Sequence, residues 1–267
     1  MIRKVLTIAG SDCSGGAGIQ ADLKTITAFG MYGMSVITAL TAQNTTGVYG
    51  IAEAGSGFVA LQTDAVFEDI RPDAVKIGMV SNSSLILTIS EKLKEHSAAH
   101  VVVDPVMVST SGSRLLKQDA VDSLINELIP LAEIITPNLP EAEVLSGITI
   151  RDRESMKEAG HIIAERARTN TLIKGGHFGE RADDLLVKTD GSEVWFLSER
   201  IDNPNTHGTG CTLSSAIACG LAAGASVEES VRAAKDYITD VLKSGLDLGS
   251  GSGPLDHCCR IRAQILK

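Results

Sequence analysis

The sequence predicts an α/β fold, a mostly parallel β-sheet covered by helices. Three observations lead there. Short apolar runs bounded by glycine or polar residues alternate with longer segments of helical periodicity along the chain. Ala, Gly, Ile, Leu and Val supply the bulk, with aromatic residues only 3% of 267 positions, as suits strands buried on both faces. No Pro- or Ser-rich linker and no internal repeat breaks the alternation, so residues 1–267 are expected to form one domain of right-handed βαβ units.

Residues 5–9 read as the first strand and 10–18 as a glycine-rich loop. Ile19, Leu23 and Ile26 then share one stripe at helical spacing. A second buried strand covers 33–40 and ends in Thr41-Ala42-Gln43-Asn44-Thr45, followed by an edge strand over 48–53. Helices are expected over 58–67, 84–94 and 119–129, alternating with strands at 74–77, 101–103 and 134–135. Helices follow over 141–145 and 155–168, then a strand over 171–174 ending in Gly175-Gly176. Strands 185–189 and 193–197 flank Asp190-Gly191, a hairpin dipeptide. A helix opens from the turn at 205–213, another covers 227–243, a glycine-serine loop spans 249–253, and a helix over 256–266 closes the chain.

Charge narrows the partners. With 24 basic and 33 acidic residues the net charge is −9, and no basic cluster exists to neutralise a nucleic-acid backbone. Positive potential for a phosphorylated ligand must then come from a metal ion, a lysine or helix N-termini. The five cysteines fit no zinc spacing and suit a reducing cytoplasm. Residues 1–6 run into a strand without a signal-peptide apolar region, and no apolar run reaches membrane-spanning length. The expected location is cytoplasmic, with no membrane partner.

The candidate site centres on Asn205-Thr206-His207-Gly208-Thr209-Gly210-Cys211-Thr212-Leu213, a turn that opens directly into a helix. The first turn of a helix leaves backbone N–H groups unpaired at the positive end of its dipole. Gly208, Thr209 and Gly210 therefore make an anion site, and Cys211 stands at its mouth. A thiol there is expected to be more acidic than usual and able to take a proton from an attacking hydroxyl. His207 is the competing base, and Cys211 is preferred by position. The early loop carries Walker spacing at Gly10 and Gly15, but Ala17 stands where a lysine is needed. Gly16-Ala17-Gly18-Ile19-Gln20-Ala21 matches a dinucleotide pattern, but the second strand ends without the acid that would hold ribose. The loop still reads as a close-approach turn, with Asp22 facing the same pocket or solvated at its helix start. Asp104 and Glu141 offer hard oxygen ligands for Mg²⁺ on neighbouring strands. Lys174 is placed to reach a β- or γ-phosphate. Gln43 has the donor and acceptor to read a flat heterocycle. Met79, Met107 and Val106 read as pocket wall or core.

These stretches together resemble hydroxymethylpyrimidine/phosphomethylpyrimidine kinases of the thiamine pathway, within the ribokinase-like superfamily. The matching segments are Thr7-Ile8-Ala9-Gly10-Ser11-Asp12 through Lys24, Thr41-Ala42-Gln43-Asn44-Thr45, Lys76-Ile77-Gly78-Met79, Val103-Asp104-Pro105-Val106-Met107, Thr136-Pro137-Asn138-Leu139-Pro140-Glu141, Ile173-Lys174-Gly175-Gly176-His177 and His207-Gly208-Thr209-Gly210-Cys211-Thr212. The resemblance implies a three-layer α/β/α fold and two successive transfers from ATP, first to the pyrimidine alcohol, then to its monophosphate. Gln43 would read the aminopyrimidine, with Gly10, Asp22, Met79 and Val106 around it. Cys211 would be the base and Gly208, Thr209 and Gly210 the anion hole. Lys174 and Asn138 would hold ATP phosphates, with Asp104 and Glu141 in the magnesium shell. A homodimer is implied on the same ground. The alternative within the subfamily is a pyridoxine/pyridoxal kinase, and Gln43 favours the pyrimidine. The presence of Cys211, Lys174 and Asp104 argues against a non-catalytic ligand sensor on the same fold.

Overall fold

The computed structural model describes residues 1–107, 118–176 and 181–265. Its strands are β1 (Lys4–Asp12), β2 (Tyr32–Asn44), β3 (Gly47–Glu53), β4 (Ala74–Ile77), β5 (Val101–Val103), β6 (Ile134–Ile135), β7 (Asn170–Ile173), β8 (Asp184–Val187) and β9 (Glu193–Phe196). Among the described residues they form one nine-stranded sheet in the order β3-β2-β1-β4-β5-β6-β7-β8-β9. Pairing is parallel from β2 through β7 and antiparallel at both edges, where β3 folds back on β2 and the β8–β9 hairpin follows β7. The helices are α1 (Gly18–Ala28), α2 (Ser56–Asp69), α3 (Ser83–Glu95), α4 (Gln118–Ser123), α5 (Leu139–Ser146), α6 (Arg153–Ala167), α7 (Thr209–Ala222), α8 (Val227–Lys243) and α9 (Cys259–Ile265).

The period-2 alternation of the strands divides the interior in two. Val101 and Val103 enter one core with Val59, Ile89, Leu145 and Ile163. Val102 points the other way, into a core with Ile26, Ile217 and Tyr237. Helices α2, α3, α5 and α6 thus cover one face, and α1, α7 and α8 the other. This is the three-layer α/β/α arrangement. A strand buried on both faces has no polar side to show, which is why β5 reads as an unbroken valine run. Among the described residues no helix is long and apolar enough to cross a membrane.

Beyond shifts of one or two residues at element ends, the structure departs from the sequence reading in four places. β1 continues to Asp12, so Gly10-Ser11-Asp12 belong to the strand and not to the loop. β2 runs on to Asn44 because its polar end finds backbone partners on β3, where Gln43 pairs with Val48. The helix expected over 119–129 is α4 followed by a π-helical turn (Leu124–Leu128) and a 3-10 turn (Ile129–Leu131). Pro130 has no N–H to extend the regular ladder. The closing helix begins at Cys259 and not at 256. His257 is instead buried, with Nε2 2.8 Å from Thr212 Oγ1 and its carbonyl accepting from the Tyr237 hydroxyl. Leu266, and His177 of the matching segments, lie outside the described residues.

Candidate active site

The carboxyl ends of β1, β2, β4, β5, β6 and β7 lie along one edge of the sheet, where parallel α/β sheets bind ligands. Two glycine segments distant in sequence meet there. Gly18 adopts φ +55°, and a Cβ on it would strike the Gly10 carbonyl. Gly208 adopts φ +88°, and a Cβ on it would strike the Gly16 carbonyl. The early loop and the late turn are therefore packed backbone to backbone. Gly208→Ala must push the Gly16 carbonyl aside and hold a left-handed alanine. It is expected to cost about 1–3 kcal/mol and to lower the melting temperature by several degrees in a thermal denaturation.

Asp12 organises the early loop. It accepts from the Ser14 N–H at 2.9 Å, the Ser14 hydroxyl at 2.7 Å, the Gly16 N–H at 3.1 Å and the Ala17 N–H at 2.9 Å. Its Oδ2 also lies 2.8 Å from His207 Nε2. Burial opposes its charge, but the bonds from His207, Ser14 and Ala17 outweigh burial and hold the carboxyl far below the usual carboxylate range. The same His207 nitrogen is 3.0 Å from the Gln43 carboxamide. Gln43 on β2 is thereby joined to the residue that leads into Gly208, Thr209, Gly210 and Cys211. Nothing in the sequence singled out Asp12, although an Asp ahead of Ser-Gly-Gly is the pattern of an Asx turn.

Helix α7 starts at Thr209 with Gly208 as its cap. The Thr209 N–H turns back to the Thr206 carbonyl at 3.2 Å. Those of Gly210 and Cys211, in the first turn, have no acceptor within the helix. Gly210 faces charge: a Cβ on it would sit 3.2 Å from Asp104 Oδ2 and 3.4 Å from Lys174 Nζ. Asp104, just past β5, is 3% exposed; its Oδ1 accepts from Lys174 Nζ at 2.9 Å and from the Thr136 hydroxyl at 3.1 Å. Lys174, just past β7, is thus paired with Asp104 beside the N-terminus of α7. Val106 is half-buried, its N–H donating to the Asp104 carbonyl at 2.8 Å.

Asn138 and Glu141 form a capping box on α5. The Glu141 N–H donates to Asn138 Oδ1 at 2.9 Å, and the Asn138 N–H donates to Glu141 Oε2 at 2.9 Å. The Met107 N–H donates to Glu141 Oε1 at 3.3 Å. Glu141 is buried and not a solvated helix-start acid. Burial pushes its carboxyl up to about 7; Lys174 opposes the shift and Asp104 adds to it.

One expectation fails here. The Cys211 thiol is not more acidic than usual: burial pushes it up to about 11. Lys76 pulls the other way, but Asp22 and Asp104 add to the rise. The helix dipole does not overcome desolvation beside two carboxylates.

Asp22 lies beneath the site and not in open space. It is fully buried, with both oxygens 2.9 Å from Lys76 Nζ. Thr7 Oγ1 donates to it at 2.6 Å and Ser215 Oγ at 2.8 Å. Lys76 was missed in the sequence, yet a lysine between Val75 and Ile77 in a buried strand demands a carboxylate. Gly10 and Met79 touch directly, since the Met79 methyl occupies the space a Gly10 Cβ would need. The Met79 carbonyl accepts from Thr38 Oγ1 at 2.8 Å, tying the end of β4 to β2. The structure thus joins Gln43 to the α7 turn, Gly10 to Met79, and Asp104 to Lys174 and Gly210. Among the described residues no group of three or more His, Cys, Asp or Glu side chains is placed to hold a metal ion.

The comparisons with known proteins agree on one family. The phosphomethylpyrimidine kinase family model matches residues 12–256. A hydroxymethylpyrimidine/phosphomethylpyrimidine kinase of Streptomyces coelicolor is 50% identical over 95% of this chain and 93% of its own. The thiamine biosynthesis bifunctional protein ThiED of Geobacter sulfurreducens is 51% identical over 95% of this chain, which spans only 52% of that longer protein. In structure, an ADP complex of Bacillus subtilis pyridoxal kinase superposes with a TM-score of 0.91 at 37% identity, covering 98% of this chain and 99% of that one. A match across so much of the chain, over the turn, the loop and the strand ends described above, means that this chain belongs to the phosphomethylpyrimidine kinase family.

Proposed function

We propose that the protein transfers the terminal phosphoryl group of ATP to 4-amino-5-hydroxymethyl-2-methylpyrimidine and then to the resulting monophosphate, supplying the diphosphate for thiamine biosynthesis. One observation carries this reading. Gln43, the amide suited to an aminopyrimidine edge, lies 3.0 Å from His207, and His207 leads straight into the anion turn. Ring and phosphate can then share one cavity. Gly10, Met79 and Val106 would wall the ring, and Asp22 would underlie the acceptor oxygen. Gly208, Thr209, Gly210 and Cys211 would cradle the migrating group. Lys174 and Asn138 would hold the ATP phosphates. Phosphoryl transfer asks mainly for positioning and charge neutralisation.

Asp104 and Glu141 would hold a magnesium ion: both are buried hard-oxygen acids, and the ammonium of Lys174, 2.9 Å from Asp104, is shared by their charges. When bound, magnesium supplies further neutralisation of phosphate oxygens. The pH dependence follows from Glu141. Its folded pKa is raised from 4.5 to about 7, so the unfolded chain gives up that proton first and stability falls as pH rises between those values. Magnesium binds the ionised form. Added Mg²⁺ is expected to raise the melting temperature more at pH 8 than at pH 5.5, and Glu141→Gln to remove most of the difference. Equal shifts at both pH values would count against Glu141 as a ligand.

The pyridoxal kinase neighbour supports a second reading, phosphorylation of pyridoxal or pyridoxine. ADP release measured with the aminopyrimidine alcohol and with pyridoxal, side by side, decides between them. The pyrimidine is expected to have the higher kcat/KM; a preference for pyridoxal would reverse the assignment.

A homodimer and a cytoplasmic location complete the proposal. The free cysteines suit a reducing compartment. β3 is an edge strand with exposed apolar side chains, Tyr49 at 70% and Ile51 at 50%. An open edge that exposes apolar side chains is a pairing surface. The double variant Tyr49→Asp/Ile51→Asp is expected to sediment as a monomer where the wild type sediments as a dimer.

A further inference from the structure

The role given to Gln43 depends on which way its carboxamide points, since only one orientation offers the NH₂ to a ring nitrogen. The surroundings fix that orientation. Asp12 is 3% exposed and, as a carboxylate, can only accept. His207 Nε2, 2.8 Å from Asp12 Oδ2, must therefore carry a proton directed at Asp12. A nitrogen whose hydrogen is committed in that way cannot accept from an amide NH₂. Gln43 Nε2 lies 3.0 Å from that nitrogen, which would set two donors face to face, so the carboxamide is assigned the other way round, with Oε1 sharing the imidazole N–H and the NH₂ turned outward. The imidazole packs against Gly16, in the space a Cβ there would occupy. The Gln43 main chain is held as well. Cys13 Sγ donates to the Gln43 carbonyl at 3.1 Å, and the Gln43 N–H donates to the sulfur at 3.3 Å. The clamped peptide fixes where the side chain starts, and the contact with His207 biases its terminal amide rotation.

We propose that the Asp12–His207 pair is a specificity device: it locks the Gln43 carboxamide with its NH₂ toward a ring-nitrogen acceptor and one Oε1 lone pair toward an adjacent exocyclic amine. The inference rests on the pyrimidine-kinase reading and adds to it the two residues that select the ligand class. The favoured ligand is a heterocycle with an acceptor ring nitrogen beside an amino donor. A ring such as pyridoxal, without that amine, gains nothing from a fixed amide. Asp12 and His207 are positioning residues, acting on the ligand through Gln43.

The test is steady-state kinetics on both acceptors with wild type, His207→Leu, His207→Gln and Asp12→Asn. His207→Leu releases the amide. KM for the aminopyrimidine alcohol should rise about tenfold, the loss of roughly one oriented hydrogen bond, with kcat changed less than threefold. KM for pyridoxal should stay within twofold, so the kcat/KM ratio of the two acceptors falls about tenfold. His207→Gln can donate to both Asp12 and Gln43 and should restore most of the ratio. Asp12→Asn should lower the ratio in the same direction; if the early loop fails to fold without its carboxylate, the His207 pair still decides. Equal losses on both acceptors in His207→Leu, or no recovery in His207→Gln, overturn the inference while leaving the kinase reading intact. A wild type that does not turn over the aminopyrimidine alcohol overturns both.

Discussion

Lys76→Met is expected to remove about 3–5 kcal/mol of stability, because breaking one side of a buried ion pair strands the other charge. Asp22 would be left fully buried with only the Thr7 and Ser215 hydroxyls as donors. For a chain of this length the melting temperature should fall by roughly 6–20 °C. The double variant Asp22→Asn/Lys76→Met removes both charges and should recover a large part of that loss. Urea or thermal unfolding of the three proteins gives the comparison. The pair lies between α1, β1, β4 and α7, so its loss should loosen the first turns of α7 and the anion cradle with them. A double variant no better than Lys76→Met would show that the cavity, and not the stranded charge, sets the cost.

Cys211→Ala is expected to slow transfer to the pyrimidine alcohol by about 10²–10⁴-fold, the usual range for losing a positioned base. Transfer to the monophosphate should change far less, because a phosphate with a second pKa near 6 is already deprotonated. The raised thiol pKa gives this prediction a pH signature. With the thiol pushed up to about 11, the thiolate is a minor form at neutral pH and grows with every unit of pH below that value. Alcohol transfer by the wild type should therefore rise steadily from pH 7 to pH 9. A cation bound beside Asp104 lowers the thiol pKa and shortens that rise without changing its sign. Cys211→Ala should abolish the rise, and the second transfer should be nearly flat in both proteins. Equal slowing of both transfers would remove Cys211 from the role of base.

The bounds of the central strands β4, β5 and β6 could be read from periodicity because they depend on local pattern. Val101, Val102 and Val103, Ala74 to Ile77, and Ile134-Ile135 fall where an apolar run between polar breaks places them. The hairpin signalled by Asp190-Gly191 formed between β8 and β9, though as a longer loop over 188–192 with positive φ at Gly191 and not at Asp190. The site gave up less. Gln43 sits in a strand because β3 folds back on it, a pairing that a polar tail does not announce. The Cys211 thiol is less acidic than usual because it is buried and because Asp22 and Asp104 reach it from distant parts of the chain, and such surroundings leave no local trace. Asp12 and Lys76 were within reach. An Asp ahead of a glycine loop and a lysine inside a buried strand both ask for partners, and His207 and Asp22 are those partners.

The account stands on a single cavity in which the N-terminus of α7 holds phosphate while Gln43 holds the ring. A crystal structure with a non-hydrolysable ATP analogue, Mg²⁺ and the aminopyrimidine alcohol tests this most directly. The expected result is a terminal phosphate within hydrogen-bond reach of the Gly210 and Cys211 N–H groups, with the ring's amino edge against Gln43. A phosphate chain bound away from α7, or a ring that leaves Gln43 uncontacted, would contradict it.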